Sequence, residues 1–158
     1  MVSNTAPLVI NHWIATTPEK VFEAYTTPEL LHQWFSPEGL SIPLDTVVIE
    51  PRVGGRFECT MVEEASGVHH ENKGHYLEFE PPHRLVGGEQ SLVGGSDMPG
   101  FRSVQEFTAD GAGTRIHIEQ YGLPAEFVGN PMVIEAFRSS YRKLGRLLGV
   151  ATEERACE

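Results

Sequence analysis

Two segments of this chain carry polar side chains on positions that a strand period turns inward. In Thr114–Gln120, one face holds Ile116, Ile118 and Gln120 and the other holds Arg115, His117 and Glu119. Burying three ionisable groups without partners is prohibitive, so Ile116 and Ile118 must point in and Gln120 goes with them. In Phe101–Phe107, an inward Phe107 takes Ser103 and Gln105 inside and leaves Glu106 in water. A hydroxyl and two amides then sit within an otherwise apolar sheet. A buried polar group left without a hydrogen bond costs about 1–3 kcal/mol. Three partners are open to Gln105 and Gln120: each other, ordered water, or a ligand.

Signals for covalent or acid–base chemistry are thin. No G-x-S-x-G, H-E-x-x-H, Walker or G-x-G-x-x-G motif occurs. Gly87-Gly88 and Gly94-Gly95 lack the strand-to-helix context of a phosphate loop and read as flexible loop. His69-His70 with His75 suggests a metal at first sight, but adjacent strand residues diverge, and these histidines read as surface groups. Tyr76 and His75 diverge in the same way. Glu58 and Glu63-Glu64 read as solvated strand charges, because a catalytic carboxylate needs an enclosed setting to shift its pKa. No catalytic residue, metal or cofactor is assigned.

The elements that must position the inward polar groups follow from local signals. Leu8–Ala15 is rich in β-branched and aromatic residues, as a strand should be. Thr17-Pro18-Glu19 supplies a cap, a pre-set first turn and a dipole-matched acid, which starts a helix burying Val21, Phe22 and Tyr25. Thr27-Pro28-Glu29 repeats that start for a short helix with Leu30, Leu31 and Trp34. Strands are expected at Leu44–Glu50, Arg56–Glu63, His70–Glu80, Arg84–Gln90, Phe101–Thr108 and Thr114–Tyr121, with Gly54-Gly55 turning the chain into the second of them. Asn130-Pro131 begins a last helix running to Gly149, in which Val133, Phe137, Tyr141, Leu144 and Leu148 share one face and Glu135, Arg138, Arg142, Lys143 and Arg146 take the other. Its large partner is the sheet. The order β-α-α-β6-α therefore predicts an α+β fold in which a curved antiparallel sheet grips a C-terminal helix.

The chain has 158 residues, 12 Lys+Arg against 22 Asp+Glu and a formal charge of −10. Such a length suits one domain, with a core about 8–150 and a flexible tail at 151–158. The negative charge repels phosphate backbones and anionic headgroups, which excludes nucleic acid and membrane surfaces as partners. No apolar run reaches the roughly 20 residues of a membrane span, and the N-terminus lacks a signal-peptide pattern, so a cytoplasmic location is expected. Cys59 and Cys157 form no C-x-x-C pair and read as a buried thiol and a loose terminal one.

Several short motifs in order give the chain a family resemblance. They are Thr17-Pro18-Glu19-Lys20-Val21-Phe22, Thr27-Pro28-Glu29-Leu30-Leu31 with Trp34, Pro37-Glu38-Gly39, and Arg52 with Gly54-Gly55-Arg56-Phe57. Gly74-x-Tyr76-x-Glu78, Pro81-Pro82-x-Arg84-Leu85, Gly113-Thr114-Arg115 and Gly122-Leu123-Pro124 continue the series. The chain resembles the helix-grip proteins of the START-like (SRPBCC, Bet v-like) superfamily. Within it, the likeness is to the family named after the activator of heat-shock protein 90 ATPase, in a short single-domain form. Glu50, Val53 and Phe137 stand where that family more often carries Asp, Pro and Trp.

The resemblance implies an interior cavity. The leading expectation is a protein that binds a small apolar or aromatic molecule between sheet and helix. Trp34, Phe35, Phe57, Phe79, Phe107, Phe137 and Tyr141 are its candidate aromatic wall, Met61 an adaptable one, and Ser103, Gln105 and Gln120 its polar groups. The first alternative is an enzyme of the cyclase, dehydratase or hydrolase type, which would need an ionisable group on that wall. The second is a chaperone-associated interaction module. The chain lacks room for the further domain that makes much of the chaperone contact in the eukaryotic co-chaperones, which argues against it. A homodimer is left open.

Overall fold

Leu8, Ile10, His12 and Ile14 are all buried along β1 (Leu8–Ile14), a two-residue period that seats one face of the strand on the core, and Asn11 is buried on the other face. The computed structural model describes residues 6–93, 96–97, 101–123 and 125–155. Helix α1 (Pro18–Thr26) starts as expected: Thr17 Oγ1 accepts a 3.3 Å hydrogen bond from the Lys20 N–H, and Val21, Phe22 and Tyr25 are buried. The second start signal achieves less. Thr27 makes no side-chain cap bond, and α2 (Pro28–Leu31) is a single turn with Trp34 beyond its end. The N–H groups of Gln33 and Trp34 turn to the i−3 carbonyls of Leu30 and Leu31, which tightens and ends the helix.

Among the described residues, eight strands follow α2 before the last helix: β2 (Leu40–Ser41), β3 (Val48–Ile49), β4 (Arg56–Glu63), β5 (His69–Glu80), β6 (Arg84–Val93), β7 (Ser96–Asp97), β8 (Phe101–Asp110) and β9 (Gly113–Tyr121). The expected strand over Leu44–Glu50 is broken. Thr46 Oγ1 donates to the Pro43 carbonyl at 2.8 Å and accepts from the Thr60 N–H, curling Leu44–Thr46 into a 3-10 turn and leaving only Val48 and Ile49 extended. Gly54 takes a φ of +81°, and a Cβ on Gly55 would lie 2.1 Å from the Glu50 carbonyl oxygen, so the turn before β4 requires both glycines.

Gly87-Gly88 is strand, not loop. It lies in β6, paired with Tyr76 and His75 on one side and with Ser103 and Arg102 on the other, and ladder bonds on both edges outweigh the low intrinsic preference of glycine. Gly94-Gly95 and Cys157 lie outside the described residues. Cys59 is buried.

The expected loose tail is also corrected. Thr152–Arg155 forms β10, antiparallel to β1, and among the described residues the sheet runs β10-β1-β9-β8-β6-β5-β4-β2 with β3 on β4 and β7 on β6. The whole is an α+β fold whose antiparallel sheet holds the C-terminal helix α3 (Pro131–Leu148).

Asn130 Oδ1 accepts from the Met132 N–H at 2.8 Å to start α3, and Gly149, at φ +71°, ends it. Tyr141 and Leu144 are buried and Val133, Phe137 and Leu148 partly so, as the helical spacing requires. Arg138, expected on the solvent side, is buried. Its guanidinium bonds the carbonyls of Asn11 and Arg155 and pairs with Glu154, because β10 folds back over the helix and encloses it. Further polar ties join α3 to the loop after α2. Ser139 Oγ accepts from the Glu38 N–H, Ser140 Oγ donates to the Phe35 carbonyl, Lys143 Nζ donates to the Ser36 carbonyl at 2.7 Å, and Arg146 pairs with Glu38. Among the described residues, no helix is long and apolar enough to cross a membrane.

Candidate functional site

A space of about 420 Å³ opens between α3, the loop Trp34–Pro37 and strands β4, β5, β8 and β9. Its size falls in the roughly 300–1,000 Å³ range of small-molecule sites. Of the residues singled out from sequence, Trp34, Phe35, Met61, Ser103, Gln105, Gln120, Phe137 and Tyr141 line it. Phe57 instead lines an adjoining recess of about 30 Å³, opened where Gly74, Gly87 and Gly88 carry no side chains.

Phe79 and Phe107 line neither space. Phe22 meets both rings edge-on, at 5.3 Å and 6.1 Å between centroids, so α1 covers them and they belong to the packed core. Strand register places Phe107 on the inner face, and Phe79 is offered only as an aromatic candidate; neither reading locates α1.

Other lining residues escaped the sequence reading. Tyr25 was legible only as a buried position on α1. Met132, Val133 and Ala136 bring the first turns of α3 to the wall, joined by Ser140 one turn on. Ala136 and Ser140, small residues one turn apart beside Phe137 and Tyr141, were the available signal: they leave room where larger side chains would fill it. Asn72, Ile118 and Leu123 complete the sheet side.

The polar groups of the wall are mostly committed to one another. Ser103 faces Gln120 across the β8–β9 ladder, and its Oγ donates to Gln120 Oε1 at 3.0 Å. The Trp34 indole N–H donates to the Ala24 carbonyl at 3.1 Å. The Tyr25 and Tyr141 hydroxyls are 2.7 Å apart and share one hydrogen bond. Burial pushes the Tyr25 hydroxyl well above the ordinary phenol range, with the neighbouring Tyr141 adding to it; burial likewise raises Tyr141. Both therefore stay protonated at neutral pH. Gln105 is half-buried between Leu85 and Ile118, and its amide makes no hydrogen bond with a described residue. Among the described lining residues of the 420 Å³ space, none carries a charge.

Behind Tyr141 lies His12, with ring centroids 5.3 Å apart. Its Nδ1 is 3.4 Å from Arg138 Nη1, and its Nε2 is buried without a hydrogen-bond partner among the described residues. Burial, aided by Arg138, lowers its pKa to about 4, so it is neutral at physiological pH. Elsewhere, His70 is tied to Glu63 at 2.6 Å, and no group of three or more metal-ligating side chains occurs among the described residues.

The family model described as Activator of Hsp90 ATPase homolog 1-like protein matches residues 15–149. The chain belongs to this family. Solved structures similar to this member of the Activator of Hsp90 ATPase homolog 1-like family include a Chromobacterium violaceum protein, 23% identical, with a TM-score of 0.78 over 90% of this chain and 96% of that one. A Mycobacterium smegmatis protein is 22% identical with a TM-score of 0.77, covering 94% and 95%. The AHSA1 protein of Silicibacter pomeroyi is 23% identical with a TM-score of 0.76, covering 91% and 98%. A search of curated proteins gave no match. At these identities the likeness carries the fold, and the family match spans α1 to α3, the two helices that flank the pocket.

Proposed function

We propose that this family member binds a small, largely apolar or aromatic molecule in the space beneath α3. The observation that carries this reading is a wall of Trp34, Phe35, Met61, Phe137 and Tyr141 around about 420 Å³, interrupted by a few uncharged polar groups, Ser103, Gln105 and Gln120 among them. Apolar burial, worth roughly 25 cal/mol per Å² removed from water, supplies affinity, and a few placed polar groups fix orientation. The enzymatic alternative has two wall residues that can ionise, Tyr25 and Tyr141, but both hold their protons far above neutral pH. They act as hydrogen-bond donors, not as bases, which favours binding over acid–base catalysis.

Native mass spectrometry of freshly purified protein tests the reading. The expected result is a co-purifying small molecule that is lost on denaturation, or stoichiometric uptake of an added neutral aromatic compound. A protein that takes up neither would overturn the reading.

A further inference from the structure

A count of protons on the pocket wall narrows the chemistry of its occupant. The hydroxyls of Ser103 and Ser140 and the indole N–H of Trp34 are already spent on Gln120, Phe35 and Ala24. The Tyr25–Tyr141 pair is different: it holds two O–H groups and spends one of them on the bond between its members. Whichever ring donates, the second proton has no acceptor among the described residues. Both rings line the space, and Tyr25 is only 4% and Tyr141 only 3% exposed, so whatever accepts that proton must reach it from within the space. An unmet donor in such a setting is costly until something accepts from it. The Gln105 amide, on the same space, is likewise without a partner among the described residues. With no charged described residue on the wall, an ionised guest would leave water without a counter-charge.

Resting on the binding role argued above, we infer that the occupant is a neutral molecule bearing a hydrogen-bond acceptor of the carbonyl type, and that the Tyr25–Tyr141 pair donates its second proton to that acceptor. The apolar remainder of the guest lies against Trp34, Phe35 and Phe137. A singly substituted protein keeps one phenolic proton, now with no second phenol to claim it, so at least one single variant retains the donor. Only the double variant loses it.

The test compares three rigid probes of one skeleton by equilibrium dialysis against the whole protein: fluorene, 9-fluorenone and fluorene-9-carboxylate, each affinity corrected for the probe's own transfer from water to octanol. The expected order puts fluorenone ahead of fluorene by roughly two- to tenfold, the range of one net hydrogen bond, with the carboxylate weakest. That advantage should persist in Tyr25→Phe or in Tyr141→Phe and vanish in the protein carrying both changes. Equal binding of fluorene and fluorenone to the unaltered protein overturns the acceptor inference while the binding role stands. Tightest binding by the carboxylate overturns neutrality, and an advantage that survives in a folded double variant overturns the phenol assignment. If none of the three probes binds, the binding role falls with the inference. The comparison on unaltered protein decides even if the double variant does not fold.

Discussion

Arg138 Nε lies 2.9 Å from Glu154 Oε1, which ties the middle of the last helix to the strand that follows it. The same guanidinium bonds the carbonyls of Asn11 and Arg155, so three elements meet on one buried side chain. Replacing Arg138 by Met should therefore lower stability by about 3 kcal/mol, since it removes the donor to the Asn11 and Arg155 carbonyls. Amide exchange at Thr152–Arg155 should accelerate to the rate of an open segment. Glu154→Ala, at a carboxylate that is 60% exposed, should cost no more than about 1 kcal/mol and leave exchange nearly unchanged. Denaturant titration and hydrogen exchange check both.

His12 makes stability depend on pH in a defined window. Its folded pKa of about 4 lies below the ordinary 6.5, so between these values the unfolded chain binds the proton more readily than the folded one. The contribution is fully present above pH 6.5 and is lost as pH falls toward 4, by up to about 3 kcal/mol. His12→Gln should flatten the difference between denaturation curves at pH 7 and pH 4.5. An unchanged pH slope in that variant would show that other groups set it.

Gly145 lets the helix and β10 approach closely. A Cβ there would lie 2.6 Å from Thr152 Cγ2 and 3.0 Å from the Val150 carbonyl oxygen. Although alanine favours helix, Gly145→Ala should destabilise by about 1–3 kcal/mol, because the close backbone neighbour cannot rotate away. Thermal unfolding measures it; a gain in melting temperature would contradict the crowding.

Ala136 faces the open space from α3. Ala136→Phe should occupy that space from within, abolish uptake of neutral aromatic probes and change stability by less than about 1 kcal/mol, since a ring replaces emptiness and displaces no packed side chain. Native mass spectrometry and denaturant titration on one preparation read both effects.

Much of the sheet was legible because burying charge is so costly. The face holding Ile116, Ile118 and Gln120 follows from the alternative of burying Arg115, His117 and Glu119, and the structure buries the former set. Capping at Thr17 and Asn130 was equally readable, being a local interaction of adjacent residues. What sequence does not carry is contact between distant polar groups. Thr152–Arg155 has no strand pattern of its own and becomes one only by pairing with β1. Arg138 looks like a surface charge until that strand covers it. The Tyr25–Tyr141 bond joins residues 116 positions apart, and no spacing rule reaches so far. Phe79 and Phe107 could not be told from pocket residues, because the choice depends on where α1 lies.

The polar ties of α3 are unevenly spread along it. From Arg138 onward the helix is fastened by Arg138, Ser139, Ser140, Tyr141, Lys143 and Arg146, whereas Pro131–Phe137 meets the rest of the molecule through apolar contacts such as those of Val133, Ile134 and Phe137. The rod is bolted at its trailing end and merely leans at its leading one. Displacing the leading turns therefore breaks apolar contacts alone, whereas displacing the trailing ones also breaks hydrogen bonds and ion pairs.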